Sequence, residues 1–131
     1  IEKIKLKYGD RCVTYYGPTS PIDRVRAKEQ FMDHGSGVDM IAAAQEAMGA
    51  GVDGLQRVCQ TAVYYSNNFN SISRWQSEDR IDRVGMIGAA TFFDLIARGS
   101  VDRKIVSNLK HKKSFSDMVL GDVRRMIDEL Y

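Results

Sequence analysis

Four short runs rich in β-branched, aromatic and aliphatic residues constrain this chain more than any other feature. They are CVTYY (Cys12 to Tyr16), VDMIAAA (Val38 to Ala44), TAVYYS (Thr61 to Ser66) and ATFFDLIA (Ala90 to Ala97). Each has the length of a strand, and helix-patterned segments lie between them. Strands alternating with helices predict βαβ units, and hence an α/β fold in which a parallel sheet carries helices on both faces. In such a sheet functional groups collect in the loops beyond the carboxyl ends of the strands. Three loops sit there: GPTSP, the glycine-rich MGAGVDG, and SNNFN.

Capping chemistry marks the helices. Ile1, Ile4 and Leu6 among lysines read as the end of a helix already under way, which predicts a chain cut from something longer. Ser20 suits an N-cap with Pro21 at the first helical position, and Val25, Phe31 and Met32 supply that helix with an apolar face. Asn70 suits the cap of a helix running through QSEDRIDRVG, and Ser100 the cap of VDRKIVSNLK. A last amphipathic helix is expected after KKSFSD, with Val119, Val123, Met126, Ile127 and Leu130 on its apolar side. Tyr15, Tyr16, Tyr64 and Tyr65 are expected to pack under helices as strand residues.

Composition narrows the function classes. A chain of 131 residues is about one domain, able to bury roughly two-thirds of the surface its unfolded form exposes. A net charge of +2 permits nucleic-acid contact without arguing for it, so any DNA site must be a local patch. KHKK, Lys110 to Lys113, is one candidate, although cations near a helix C-terminus also suit the helix dipole. Cys12 and Cys59 lack metal-ligand spacing and are too few for a disulfide scaffold, which predicts reduced thiols, no metal site and a cytoplasmic setting. No apolar run approaches the roughly 20 residues of a membrane span, so a membrane is not an expected partner.

The chemistry concentrates in two segments. In QSEDRIDRVG, Gln76, Arg80 and Arg83 stand at i, i+4 and i+7 and would share one helical face. Two guanidiniums on one face, each a planar fork of donors, suit a phosphate chain. Asp79 and Arg83 also form an i, i+4 pair, which would merely decorate a solvated helix and add about 0.2–0.5 kcal/mol. In MGAGVDG, Gly49, Gly51 and Gly54 permit positive φ and close backbone approach, and Asp53 among them could accept a ribose hydroxyl. Short glycine turns of this kind also occur in ordinary loops. No Walker lysine with its Ser or Thr occurs in the chain, nor any strand ending in paired acids to hold magnesium. These segments make half a nucleotide site.

Taken in order, GPTSPIDRVRAKEQF, GAGVDGL, TAVYYSNNFN, QSEDRIDRVG and DLIARGSVDRKI resemble the second RecA-like lobe of superfamily-two helicases, specifically Swi/Snf-type DNA-dependent ATPases. The first family segment is matched by Gly17, Thr19, Ser20, Arg24 and Phe31, and motif five by Gly49, Gly51 and Asp53. Motif six is matched by Gln76, Asp79, Arg80, Arg83 and Gly85, and the trailing segment by Gly99, Ser100, Asp102 and Ile105. The chain departs from the pattern at Asp82, where His is common, at Met86, where Gln is common, and at Ala44 and Gln45, where a Ser-Thr pair often touches the DNA backbone. The spacing between Asp53 and Thr61 is also longer than the family's by a residue or two.

The resemblance implies a P-loop NTPase-type fold, with the lobe over residues 1–110 and a helical extension over 111–131. It implies ATP between two lobes, with the phosphate loop and Mg2+ site in an N-terminal lobe outside this chain. Arg83 and Arg80 would be the catalytic arginine fingers. Gly51, Asp53 and Gln76 would lie on the ATP side, and Thr19 and Gln45 would contact the backbone of double-stranded DNA. The chain by itself is then expected to be inactive as an ATPase. A non-catalytic α/β module that docks DNA or protein through its basic loops is the alternative.

Overall fold

A computed structural model describes residues 1–49, 52–113 and 120. Gly51 and the C-terminal apolar positions Val119, Val123, Met126, Ile127 and Leu130 lie outside the described residues. The chain divides into two compact units, Ile1–Ala62 with Ser73–Thr91, and Val63–Ile72 with Phe92–Tyr131.

The first unit opens with α1 (Glu2–Tyr8), where the sequence places a helix, and a single 3-10 turn (Gly9–Arg11) delivers the chain to β1 (Cys12–Tyr15). α2 (Pro21–Met32) starts as its sequence demands: Pro21 needs no N–H partner at the first position, and the Asp23 amide donates to Ser20 Oγ. The Ser20 hydroxyl donates in turn to Asp23 Oδ2 at 2.6 Å, which closes the cap from both sides. β2 (Met40–Ala43) then lies parallel to β1, pairing Cys12 with Met40 through Tyr15 with Ala43. The expected α/β fold with parallel strands is thus present.

The next element, α3 (Gln45–Gly49), is a turn of helix inside what reads as a strand running into a glycine-rich loop. The core of this unit gathers Tyr15, Met48, Val52 and Leu55, with Phe31, Ile41, Ala43 and Ala47 packed around them. β1 is buried on nearly every residue, as a parallel strand covered on both faces should be. One expectation fails here, because Val25 is 56% exposed and Ala27 is the buried residue of α2. The inward face of that helix is set by Arg24, Ala27 and Phe31, spaced i, i+3 and i+7, and Val25 lies one position off it.

β3 (Thr61–Tyr64) and β4 (Thr91–Asp94) form a second two-stranded ladder. Thr91 N donates to Gln60 O and Leu95 N to Tyr64 O, the same offset in both bonds, so these strands also run parallel. In the second unit Tyr64 is buried with its ring 6.4 Å from Phe92, and Asn67 Nδ2 donates to Asp94 Oδ1 at 2.8 Å, joining the loop after β3 to the last residue of β4. Tyr65, one residue beyond β3, is 76% exposed and does not pack under a helix as Tyr64 packs inward. The helical residues 102–113 begin where Asp102 N donates to Ser100 Oγ, and Ile105, Val106 and Leu109 make their buried stripe. Lys110 to Lys113 are exposed on that helix. Among the described residues, no helix is long and apolar enough to cross a membrane.

Candidate functional site

Asp53 owes its position to its neighbours. Val52 and Leu55 are 0% and 1% exposed, so two buried side chains hold the backbone while Asp53 between them stays in solvent. Gly54 turns the chain at φ 96° to open a 3-10 turn (Leu55–Arg57), a left-handed geometry that costs an L-residue energy. A Cβ on Gly54 would also stand 2.9 Å from the Met32 methyl, which is flexible enough to move aside. Gly54→Ala is therefore expected to destabilise the fold by about 1–2 kcal/mol, mostly through backbone strain. Urea denaturation measures this, and an unchanged midpoint would contradict the strain argument.

α4 (Ser71–Asp79) approaches from the other side of the sequence, with the Ile72 amide donating to Asn70 Oδ1 at its start. The expectation that Gln76, Arg80 and Arg83 share a helical face is corrected here, since the helix ends at Asp79. Beyond it the amides of Ile81 and Asp82 both donate to Glu78 O, and the Arg83 amide donates to Ile81 O, so the i, i−4 ladder collapses into tighter turns. Ile81, 4% exposed, anchors that turn in the core. Two arginines on either side of this anchor then reach the same carboxylate: Arg80 Nη1 lies 2.6 Å and Arg83 Nη1 2.8 Å from Asp53 Oδ1. Arg83 thus turns to Asp53 and not to Asp79, and the plainer reading of a decorated helix does not describe it.

The electrostatics follow from two cations on one anion. The hydrogen bond from Arg83 holds the Asp53 carboxyl below the usual carboxylate range; desolvation opposes it, and the charges of Arg80 and Arg83 and the bond from Arg80 add to the lowering. A carboxyl with a depressed folded-state pKa stabilises the fold fully above its unfolded pKa and loses that contribution as pH falls through the depressed value. A carbon-detected NMR titration is expected to find the Asp53 midpoint below that of an ordinary aspartate, and to find it raised in Arg83→Gln. A midpoint that does not move would mean that the bond does not persist in solution.

The other site residues fall into two groups. Gln76 is exposed on α4 and is not bonded to Asp53, Arg80 or Arg83. Thr19 follows β1 and Gln45 follows β2, and the parallel register of those strands brings both to the same end of the ladder. Thr19 closes a turn, its amide donating to Tyr16 O and its Oγ1 accepting from Tyr16 N. Sequence reasoning gave Arg24 no role beyond its place in a motif. Its Nε donates to Thr19 O, and its Nη2 donates to Tyr16 O and Gly17 O, all at 3.0–3.1 Å, with the guanidinium 5.5 Å above the Tyr15 ring. Arg24 therefore ties the GPTS loop to α2, adding to the turn that Thr19 closes. Also missed was Arg74 Nε donating to Glu78 Oε1 at 2.7 Å with both side chains buried; the i, i+4 spacing was its only sequence signal. Cys12 and Cys59 are free thiols, and burial raises the pKa of both.

Parallel strands joined by helices thus carry paired arginines just beyond the helix that follows the third strand. The chain is 34% identical over 61 residues to the chromatin-remodeling ATPase INO80 of Cryptococcus neoformans, a match covering 47% of this chain and 4% of that protein. The INO80 ATPase of Mycosarcoma maydis is 33% identical over 61 residues, and that of Candida albicans 27% identical over 63. The chain spans 3–4% of the length of these curated relatives. The crystal structure of the C-terminal part of the Fun30 ATPase domain shares its fold, with a TM-score of 0.69 and 20% identity over 82% of this chain and 34% of that one. No protein-family model matches the chain.

Proposed function

We propose that this chain is the C-terminal lobe of an ATP-dependent DNA translocase or helicase, with Arg83 and Arg80 as the arginine fingers of an ATPase site completed by an N-terminal lobe. The observation that carries the reading is the convergence of both guanidiniums on one exposed oxyanion, Asp53 Oδ1. Two fork-shaped donors around a single oxygen form the donor set that a phosphate oxygen takes.

Bound between the lobes, ATP would supply the phosphoryl group, with its Mg2+ held mainly by the N-terminal lobe. Arg83 and Arg80 would stabilise the charge that spreads over the transferred group, while Gln76 would lie toward the nucleotide. Thr19 and Gln45, at one end of the β1–β2 ladder, would touch the DNA backbone, and lobe closure would shift their loops along double-stranded DNA. Arg24, which ties the GPTS loop to α2, would position Thr19. The test is DNA-stimulated ATP turnover of Arg83→Ala in the intact two-lobed protein. Turnover close to wild type would refute the finger assignment.

A further inference from the structure

Arg80 and Arg83 use their Nη1 atoms on the same carboxylate oxygen, at 2.6 and 2.8 Å. We propose that Asp53 is an internal counter-anion that parks the two arginines, and that a polyphosphate binds by exchanging with it. This rests on the reading of Arg80 and Arg83 as phosphate ligands. Asp53 suits such an exchange because its side chain is 69% exposed, so the carboxylate can return to water without leaving a buried charge behind. Its backbone stays fixed by Val52 and Leu55, so it remains within reach to recapture the arginines. As an exposed carboxylate it competes as a full anion at neutral pH.

The exchange has a direction. A carboxylate offers one negative charge, whereas a polyphosphate offers several and more acceptor oxygens, so it displaces Asp53 once bound nearby. Until then the parked fraction lowers apparent affinity in proportion, because only the unparked arginines are competent. The parked state also keeps both guanidiniums together between turnovers.

The probe is inorganic tripolyphosphate, titrated into this chain by calorimetry at low ionic strength. Asp53→Asn, nearly isosteric but uncharged, is expected to bind about three- to tenfold more tightly than wild type, with the gain shrinking in salt. Asp79→Asn makes the same change of charge beside the arginines without being bonded to either, and is expected to gain less than twofold. Equal gains in the two variants would reduce the effect to net charge and overturn the proposal. So would a gain for Asp53→Asn that survives replacement of both Arg80 and Arg83 by Gln. The parent reading is tested separately. Loss of turnover in Arg83→Ala without tighter tripolyphosphate binding in Asp53→Asn sinks the counter-anion alone; tighter binding through the arginines with turnover intact sinks the finger assignment alone.

Discussion

Replacing Arg83 by Ala in the intact two-lobed protein is expected to lower DNA-stimulated ATP turnover by about 10³- to 10⁵-fold. At 1.36 kcal/mol per decade that is roughly 4–7 kcal/mol of barrier. The size of the effect separates the proposed role from a structural one. Arg83 is 46% exposed and its partner Asp53 69%, so their bond is heavily screened and its loss leaves the fold standing. An unchanged denaturation midpoint together with collapsed turnover is therefore the expected pair of results. Arg83→Lys should fall between, because it keeps the charge and loses the planar fork. Arg83 is also the more exposed of the two arginines, against 25% for Arg80, and so the freer to reach a ligand. If turnover fell by less than about threefold, no charge in the transition state would rest on Arg83.

The second large effect is on stability. Leu55→Ala is expected to cost about 2–5 kcal/mol, because Leu55 is 1% exposed in a cluster with Tyr15, Met48 and Val52 and the cavity left behind closes only in part. That is a large fraction of the roughly 5–15 kcal/mol that holds a typical domain together. Leu55→Met, which conserves volume, should cost under about 1.5 kcal/mol. The ordering matters as much as the magnitude, and chemical denaturation of the two variants gives it. A loss below about 1 kcal/mol for Leu55→Ala would mean that this part of the core is loosely packed. Since Leu55 is one of the two side chains that fix the backbone at Asp53, the Ala variant should also weaken the grip on the arginines.

Much of the fold was legible because its signals are local. The four apolar runs became β1 to β4, and Ser20 with Pro21 opened α2, because caps and periodicity act within a few residues. α3 was not legible, since a single helical turn within a glycine-rich stretch carries no periodic signal. The end of α4 at Asp79 was missed for another reason: nothing in QSEDRIDRVG breaks a helix before Gly85, and the break comes with Ile81 anchored in the core. Arg24 was visible as a motif residue, but its grip on three carbonyls depends on the path of the loop.

Sequence by itself determined the parallel α/β architecture, the resemblance to a Swi/Snf-type lobe, and the residue types that could meet a phosphate. Only the tertiary structure decided what those residues do to one another. Asp53 lies 27 positions from Arg80 and 30 from Arg83, and no local propensity can bring groups so far apart to one oxygen. Burial of Val52, Leu55 and Ile81 sets the backbone on both sides of that gap, and the charges meet where the packed core leaves them.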